Sequence, residues 1–140
     1  MIAYFDTSAI VPLLIDEAGT ERARAQWLAA DRLVTVRLSH VEARAALAQA
    51  LRTGRITPVQ HRTAVAELPR LLEQVELVDI DDELAHHAGD LAEARALRAY
   101  DAVHLAAALS ARDPELVVVA GDAALLAAAA TEGLATVSTS

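Results

Sequence analysis

Four carboxylates stand at positions where a hydrolytic site could be assembled: Asp6, Glu42, Asp101 and Asp122. Asp6 ends the short apolar run Ile2–Phe5, and Asp122 follows a second run, Leu116–Ala120, by two residues. Glu42 lies one turn into a helical pattern that follows a third run, and Asp101 opens the helical pattern that precedes Leu116–Ala120. Carboxylates brought within ~6 Å of one another repel and raise each other's pKa unless a cation lies between them. A hard divalent ion such as Mg²⁺ or Mn²⁺ takes oxygen ligands and keeps several waters, so a few carboxylates suffice to hold it. There it can activate water and stabilise an in-line displacement at phosphorus. Thr7 and Ser8, directly after Asp6, can add a hydroxyl. Each residue also has a purely local role open to it. Asp6 and Asp122 precede helices, where a carboxylate caps free N–H groups. Ser39-His40-Val41-Glu42 has the spacing of a capping box, with Glu42 reaching back to the Ser39 N–H. Asp101 would gain from a helix dipole, and Thr7 and Ser8 are ordinary N-cap residues.

The other candidate groups are fewer. His104 shares a helix face with Asp101 at i, i+3 and is a candidate contact behind the carboxylates or on the substrate. His86 pairs with Asp90 one turn on, but no further nitrogen ligand lies at zinc-like spacing; His40, His61, His86 and His87 read as surface residues. All twelve basic side chains are arginine, so arginine alone can meet a phosphate. Arg44 lies half a turn past Glu42 and Arg95 flanks the break before Asp101, but Arg37, at a strand end, and Arg98, before Asp101, are the two best placed. The absence of lysine removes the Walker-A loop, the Schiff-base lysine and the kinase lysine. The absence of cysteine removes thiolate zinc sites, disulfide scaffolds and cysteine nucleophiles. Only four residues are aromatic, which argues against a sheet that stacks bases. A net charge of −8 makes the chain a poor non-specific binder of nucleic acid. If it handles a phosphate polymer, a metal ion or a local arginine patch must offset that charge.

The elements that position these groups follow from pattern and punctuation. At 140 residues and 54% apolar composition, one domain spanning 1–140 with an ample core is expected. Alanine supplies 33 residues, and it is the best helix former. Strands are expected at Ile2–Phe5, Leu33–Arg37, Glu76–Ile80, Leu116–Ala120 and, more weakly, Leu134–Val137. Helices are expected from Thr7 or Ser8 to Ile15, from a Thr20 cap to Ala30, and from Ser39 to Thr53 with Gly54 as the stop. A further helix runs from the Thr57-Pro58 start to about Leu68, where Pro69 should break or kink it. Others run from Asp81 or Asp82 to Arg95, from a break at Leu97–Tyr100 to Arg112, and from Asp122 to Gly133. Alternation of strand and helix means a mainly parallel sheet of four to five strands in a three-layer α/β/α sandwich. In such sheets the site lies beyond the carboxyl ends of the strands. The start of the chain lacks the pattern of a signal peptide, and no apolar stretch approaches the ~20 residues of a membrane span, so a cytoplasmic protein with no membrane partner is expected.

Taken together, several segments resemble one family. They are Ile2-Ala3-Tyr4-Phe5-Asp6-Thr7-Ser8-Ala9, Ser39-x-x-Glu42-x-x-x-Ala46, Tyr100-Asp101-Ala102-Val103-His104-Leu105-Ala106-Ala107-Ala108, and Asp122 with the alanine-rich stretch ending Glu132-Gly133-Leu134. The chain is similar over about residues 2–137 to the PIN-domain ribonucleases, and in size and closing helix-plus-strand to the VapC-type toxins of toxin–antitoxin pairs. The resemblance implies a PIN-like fold and a Mg²⁺- or Mn²⁺-dependent endoribonuclease. Its acidic quartet would fall on Asp6, Glu42, Asp101 and Asp122, with Asp6 and Asp101 direct metal ligands and Glu42 and Asp122 acting through water. It also implies a homodimer, a cognate antitoxin, and translation arrest through cleavage of a structured RNA such as tRNA or rRNA. The sequence departs from the family at Ala120, where a threonine or serine is common. Two rivals remain. A phosphatase with an aspartate nucleophile wants a second aspartate two residues after the first, where Ser8 stands, and a receiver module wants a lysine. A PIN-like module used only for protein association would have no need of four intact carboxylates.

Overall fold

The structure is a computed structural model that describes residues 1–140. Five strands, β1 (Ile2–Phe5), β2 (Arg32–Val36), β3 (Glu76–Val78), β4 (Leu116–Ala120) and β5 (Ala135–Ser138), form one sheet in the order β3-β2-β1-β4-β5. Every neighbouring pair is parallel, with Ile2 opposite both Arg32 and Leu116. The three-layer sandwich expected from the alternation is therefore present, and the sheet is wholly parallel.

Both faces of the sheet are covered, as a parallel sheet requires. Side chains alternate along a strand, so Ile2 and Tyr4 enter one core and Ala3 and Phe5 the other. The first core packs under α5 (Asp82–Arg95), α6 (Ala99–Ser110) and α7 (Ala123–Thr131). The second packs under α1 (Thr7–Leu14), α3 (Leu38–Arg52) and α4 (Pro58–Leu72), while α2 (Thr20–Ala29) edges it with Trp27 against Phe5. Alanine is what lets these helices approach closely: Ala102, Ala106, Ala107 and Ala108 are all buried on α6.

Order along the sheet reverses between β1 and β4, because the chain builds β1-β2-β3 to one side and β4-β5 to the other. The crevice beyond the carboxyl ends of β1 and β4 is the switch point where ligands bind in such sheets. Asp6 and Asp122 follow those two strands.

Three local expectations are corrected. Pro69 neither breaks nor ends α4, which runs on to Leu72. Ala64, Leu68 and Leu72 are buried at successive i, i+4 positions, and this continuous packing outweighs one missing N–H near the helix end. Thr20 is not an N-cap. It is the first residue of α2, and its hydroxyl donates to the Pro12 carbonyl at 2.7 Å and accepts the Glu17 N–H at 2.9 Å. Nor do Ser39 and Glu42 form a capping box: α3 begins at Leu38, and the buried Ser39 hydroxyl pairs with that of Thr35 at 2.7 Å.

Candidate active site

Two carboxylates reach the crevice as helix caps. Asp6 is the N-cap of α1 and accepts the Ser8 N–H through Oδ2 at 3.1 Å. Asp122 is the N-cap of α7 and accepts the Leu125 N–H through Oδ1 at 3.1 Å. The capping role and the site role are not alternatives here, since each aspartate caps with one oxygen and presents the other. Asp6 Oδ1 stands 3.3 Å from His104 Nε2, and Asp122 Oδ2 accepts from Arg98 Nη2 at 3.1 Å.

Glu42, freed from the capping box, turns to α1 and α6. Its Oε1 accepts the Thr7 hydroxyl at 2.8 Å and lies 2.6 Å from His104 Nε2. All its protein contacts fall on Oε1, so Oε2 has no protein partner. His104 is 1% exposed and stands at the centre of the group. The Tyr4 hydroxyl, itself fully buried, meets its Nδ1 at 2.8 Å. With the tyrosine proton on Nδ1, the Nε2 proton points at Glu42 and Asp6. Burial disfavours a charged imidazole, but the Glu42 hydrogen bond and the charges of Asp6, Glu42 and Asp101 outweigh it and raise the His104 pKa. Burial likewise opposes ionisation of Glu42, yet the hydrogen bonds from His104 and Thr7 bring its carboxyl below the usual range. Burial pushes the Tyr4 hydroxyl well up, so it stays protonated.

Asp101 comes from the first turn of α6, where Arg98 is the N-cap but makes no side-chain cap bond. Its guanidinium instead donates to Asp101 Oδ2 through Nε at 3.2 Å and to Asp122 Oδ2 through Nη2. Chain direction makes this possible: Ala96 at φ 52° turns the chain left-handed after α5 and sends it straight into α6. Burial, then the neighbouring Asp122 charge, raises the Asp101 pKa despite Arg98.

All four carboxylates, Thr7, Ser8, His104 and Arg98 thus share one edge of the sheet. Arg37 lies apart from the carboxylates and pairs with Asp79. Two features escaped sequence reading. Tyr4 reads there only as a strand residue. Ser8 ties two strand ends together: its hydroxyl donates to Asp6 Oδ2 and accepts the Gly121 N–H at 2.8 Å. A hydroxyl thus serves the β4 turn although residue 120 is alanine. Position 121 is tight, since a Cβ there would meet the Thr139 hydroxyl at 3.2 Å.

An all-oxygen set of carboxylates and hydroxyls suits Mg²⁺ or Mn²⁺. As the side chains stand, no three His, Asp or Glu residues are arranged to ligate one ion. A groove of about 700 Å³ leads from Thr7, Ser8 and Glu42 across Val11 and Ala46 to Arg55.

Comparison with known proteins decides the family. Residues 3–119 match the PIN domain, a span that includes Asp6, Glu42 and Asp101. Over 121 residues the chain is 41% identical to ribonuclease VapC45 of Mycobacterium tuberculosis, covering 86% of this chain and 84% of that one. The chain belongs to the PIN domain family, among the VapC ribonucleases. Two solved structures share the whole fold. FitAcB from Neisseria gonorrhoeae superposes with a TM-score of 0.73 at 19% identity, covering 99% of this chain and 98% of that one. VapBC-5 of the VapBC toxin–antitoxin systems, from Mycobacterium tuberculosis, gives 0.66 at 20% identity over 98% of each. No helix of this PIN domain is long and apolar enough to cross a membrane.

Proposed function

We propose that this PIN domain is a Mg²⁺- or Mn²⁺-dependent endoribonuclease and the toxin of a toxin–antitoxin pair. The observation that carries the reading is the meeting of Asp6, Glu42, Asp101 and Asp122 at the carboxyl edge of β1 and β4. Asp6 and Asp101 would hold the ion directly, Glu42 and Asp122 through water. Bound there, the ion would activate a water and offset charge gathering on the phosphate. Glu42, ionised and clamped at Oε1, keeps Oε2 to orient the attacking water and accept its proton. Thr7 and His104 hold that carboxylate at one rotamer, so it need not reorganise during the reaction. Arg98 and, further out, Arg37 supply charge for RNA phosphates.

The structured RNA is a tRNA or rRNA, and its cleavage arrests translation in the cytoplasm. A cognate antitoxin and a homodimer complete the proposal, supported by the kinship with VapC ribonucleases and by the likeness to VapBC-5. The test is sequencing of RNA 5′ ends in cells after brief induction of wild type or Asp101→Asn. New ends at one or a few sites with the wild type alone are expected; identical 5′-end profiles would remove the ribonuclease reading.

A further inference from the structure

Four carboxylates share this site, and a histidine and an arginine meet them. His104 sits inside, wholly buried between Tyr4 and Glu42. Arg98 sits outside, with 72% of its side chain exposed. It touches Asp101 and Asp122, which come from different elements, and on each it takes the same atom, Oδ2. No other arginine pairs with any of the four carboxylates: Arg37 goes to Asp79, Arg55 to Glu17 and Arg95 to Glu132.

We propose that Arg98 is a built-in cation gate: it bridges Asp101 and Asp122 until a divalent ion claims those oxygens, and it must leave for the ion to bind. The inference rests on the metal-dependent reading above. Two carboxylates whose Oδ2 atoms share one guanidinium lie close enough to repel each other. A cation between them relieves this, and a guanidinium fork spans two acceptors in a way an ammonium does not. The bridge is also made to open. Both ion pairs end on an exposed, long side chain, and such pairs contribute little and exchange readily. Nothing else fixes the guanidinium, since Arg98 makes no cap bond to α6. The gate keeps the outer carboxylates together without metal, and its cost appears as weakened metal affinity.

The experiment is calorimetric titration of the full chain with Mn²⁺, for wild type, Arg98→Gln and Arg95→Gln. Arg95 lies three residues earlier, at the end of α5, and carries the same charge, but its partner is Glu132. Arg98→Gln should bind Mn²⁺ about three- to tenfold more tightly, the scale of one or two exposed ion pairs. Arg95→Gln should stay within about twofold of wild type, the residue of a screened distant charge. A second readout follows the Arg98 Nε–H resonance by ¹⁵N NMR, which should shift as Mg²⁺ is added. Equal or weaker binding by Arg98→Gln overturns the gate, as does equal tightening in Arg95→Gln or an Nε–H signal unmoved at saturating Mg²⁺. In those cases the metal reading survives, because wild type still binds. Absence of Mn²⁺ binding in every variant would instead remove the metal reading and the gate with it. Binding by Arg98→Gln alone would be the strongest form of the gate.

Discussion

The inner and outer halves of the carboxylate cluster are built on different principles. Inside, Asp6 and Glu42 face a buried histidine that is fixed from behind by Tyr4, and Glu42 is held at Oε1 by Thr7 and His104. Outside, Asp101 and Asp122 share one arginine whose side chain is mostly in solvent. A buried, fully satisfied network rigidifies its members, and breaking one bond exposes the whole penalty of an unpaired buried group. An exposed ion pair carries no such penalty. The inner half is therefore the fixed part of the site, and the outer half is the part that can be remade around a ligand.

The largest effects should fall where both halves converge on the reaction. Asp6→Asn and Asp101→Asn are each expected to cut RNA cleavage by at least ~100-fold, the scale of losing one electrostatic element of a preorganised site. Cleavage of a labelled RNA by purified protein checks this. The two halves then separate in stability. His104→Ala should destabilise the fold by about 2–4 kcal/mol in denaturant unfolding, because it leaves a cavity and strands the Tyr4 hydroxyl and Glu42. Arg98→Ala should leave the unfolding midpoint unchanged while raising the KM for RNA about tenfold, one lost phosphate contact. Similar destabilisation by the two would erase the distinction between a fixed and a remakeable half.

Opposite pKa shifts sharpen the same contrast. Glu42 is lowered in the fold, so its ionised form contributes stability that is present above the unfolded pKa and lost as pH falls through the folded one. Asp101 is raised, chiefly by burial and by Asp122. Its protonated form is the favoured one, and that contribution is lost as pH rises through its folded pKa. At neutral pH Glu42→Gln should therefore cost about 1 kcal/mol, a charged hydrogen bond weakened to a neutral one. Asp101→Asn should be neutral or slightly stabilising at neutral pH, and that gain should vanish in acid. Unfolding midpoints of both variants across the acidic range decide the signs; two losses of equal size would show that the halves do not differ.

The outer half was the more legible in the sequence, and the reason is distance along the chain. Asp122 is visible because strand ends are visible, as is Asp6 alone of the inner half, and the switch-point rule says where strand ends matter. Arg98 and Asp101 are three residues apart, so their pairing is local. The inner half depends on residues 35 to 100 positions apart: Thr7 with Glu42, and Tyr4 with His104. No periodicity carries that information, and Tyr4 gives no sign of being more than a strand residue. Glu42 even carries a local signal that points elsewhere. Its capping-box spacing is genuine, but Ser39 is drawn to Thr35 in the core, and α3 starts two residues too early for the box to close. Pro69 fails as a helix breaker for a related reason, since buried Leu68 and Leu72 hold α4 to the sheet on either side of it. Strand and helix identity, by contrast, follow from alternation and capping, which are local properties of the chain.

The smallest expected effect tests how far the remakeable half extends. Arg37 was expected at a strand end beside the site, and it does follow β2, but its guanidinium is held by Asp79 rather than by any of the four carboxylates. Pairing with Asp79 halves its use as a free charge, and a contact of that kind is screened by salt. Arg37→Ala should leave kcat unchanged and raise the KM for RNA about twofold at physiological salt, fading further as salt increases. Asp79→Asn should do the reverse, releasing Arg37 and lowering KM slightly. If Arg37→Ala instead lowered kcat as strongly as the inner variants, substrate would have to reach the metal over the β2–β3 edge. The boundary between fixed and remakeable parts would then run along the sheet rather than across the carboxylate cluster.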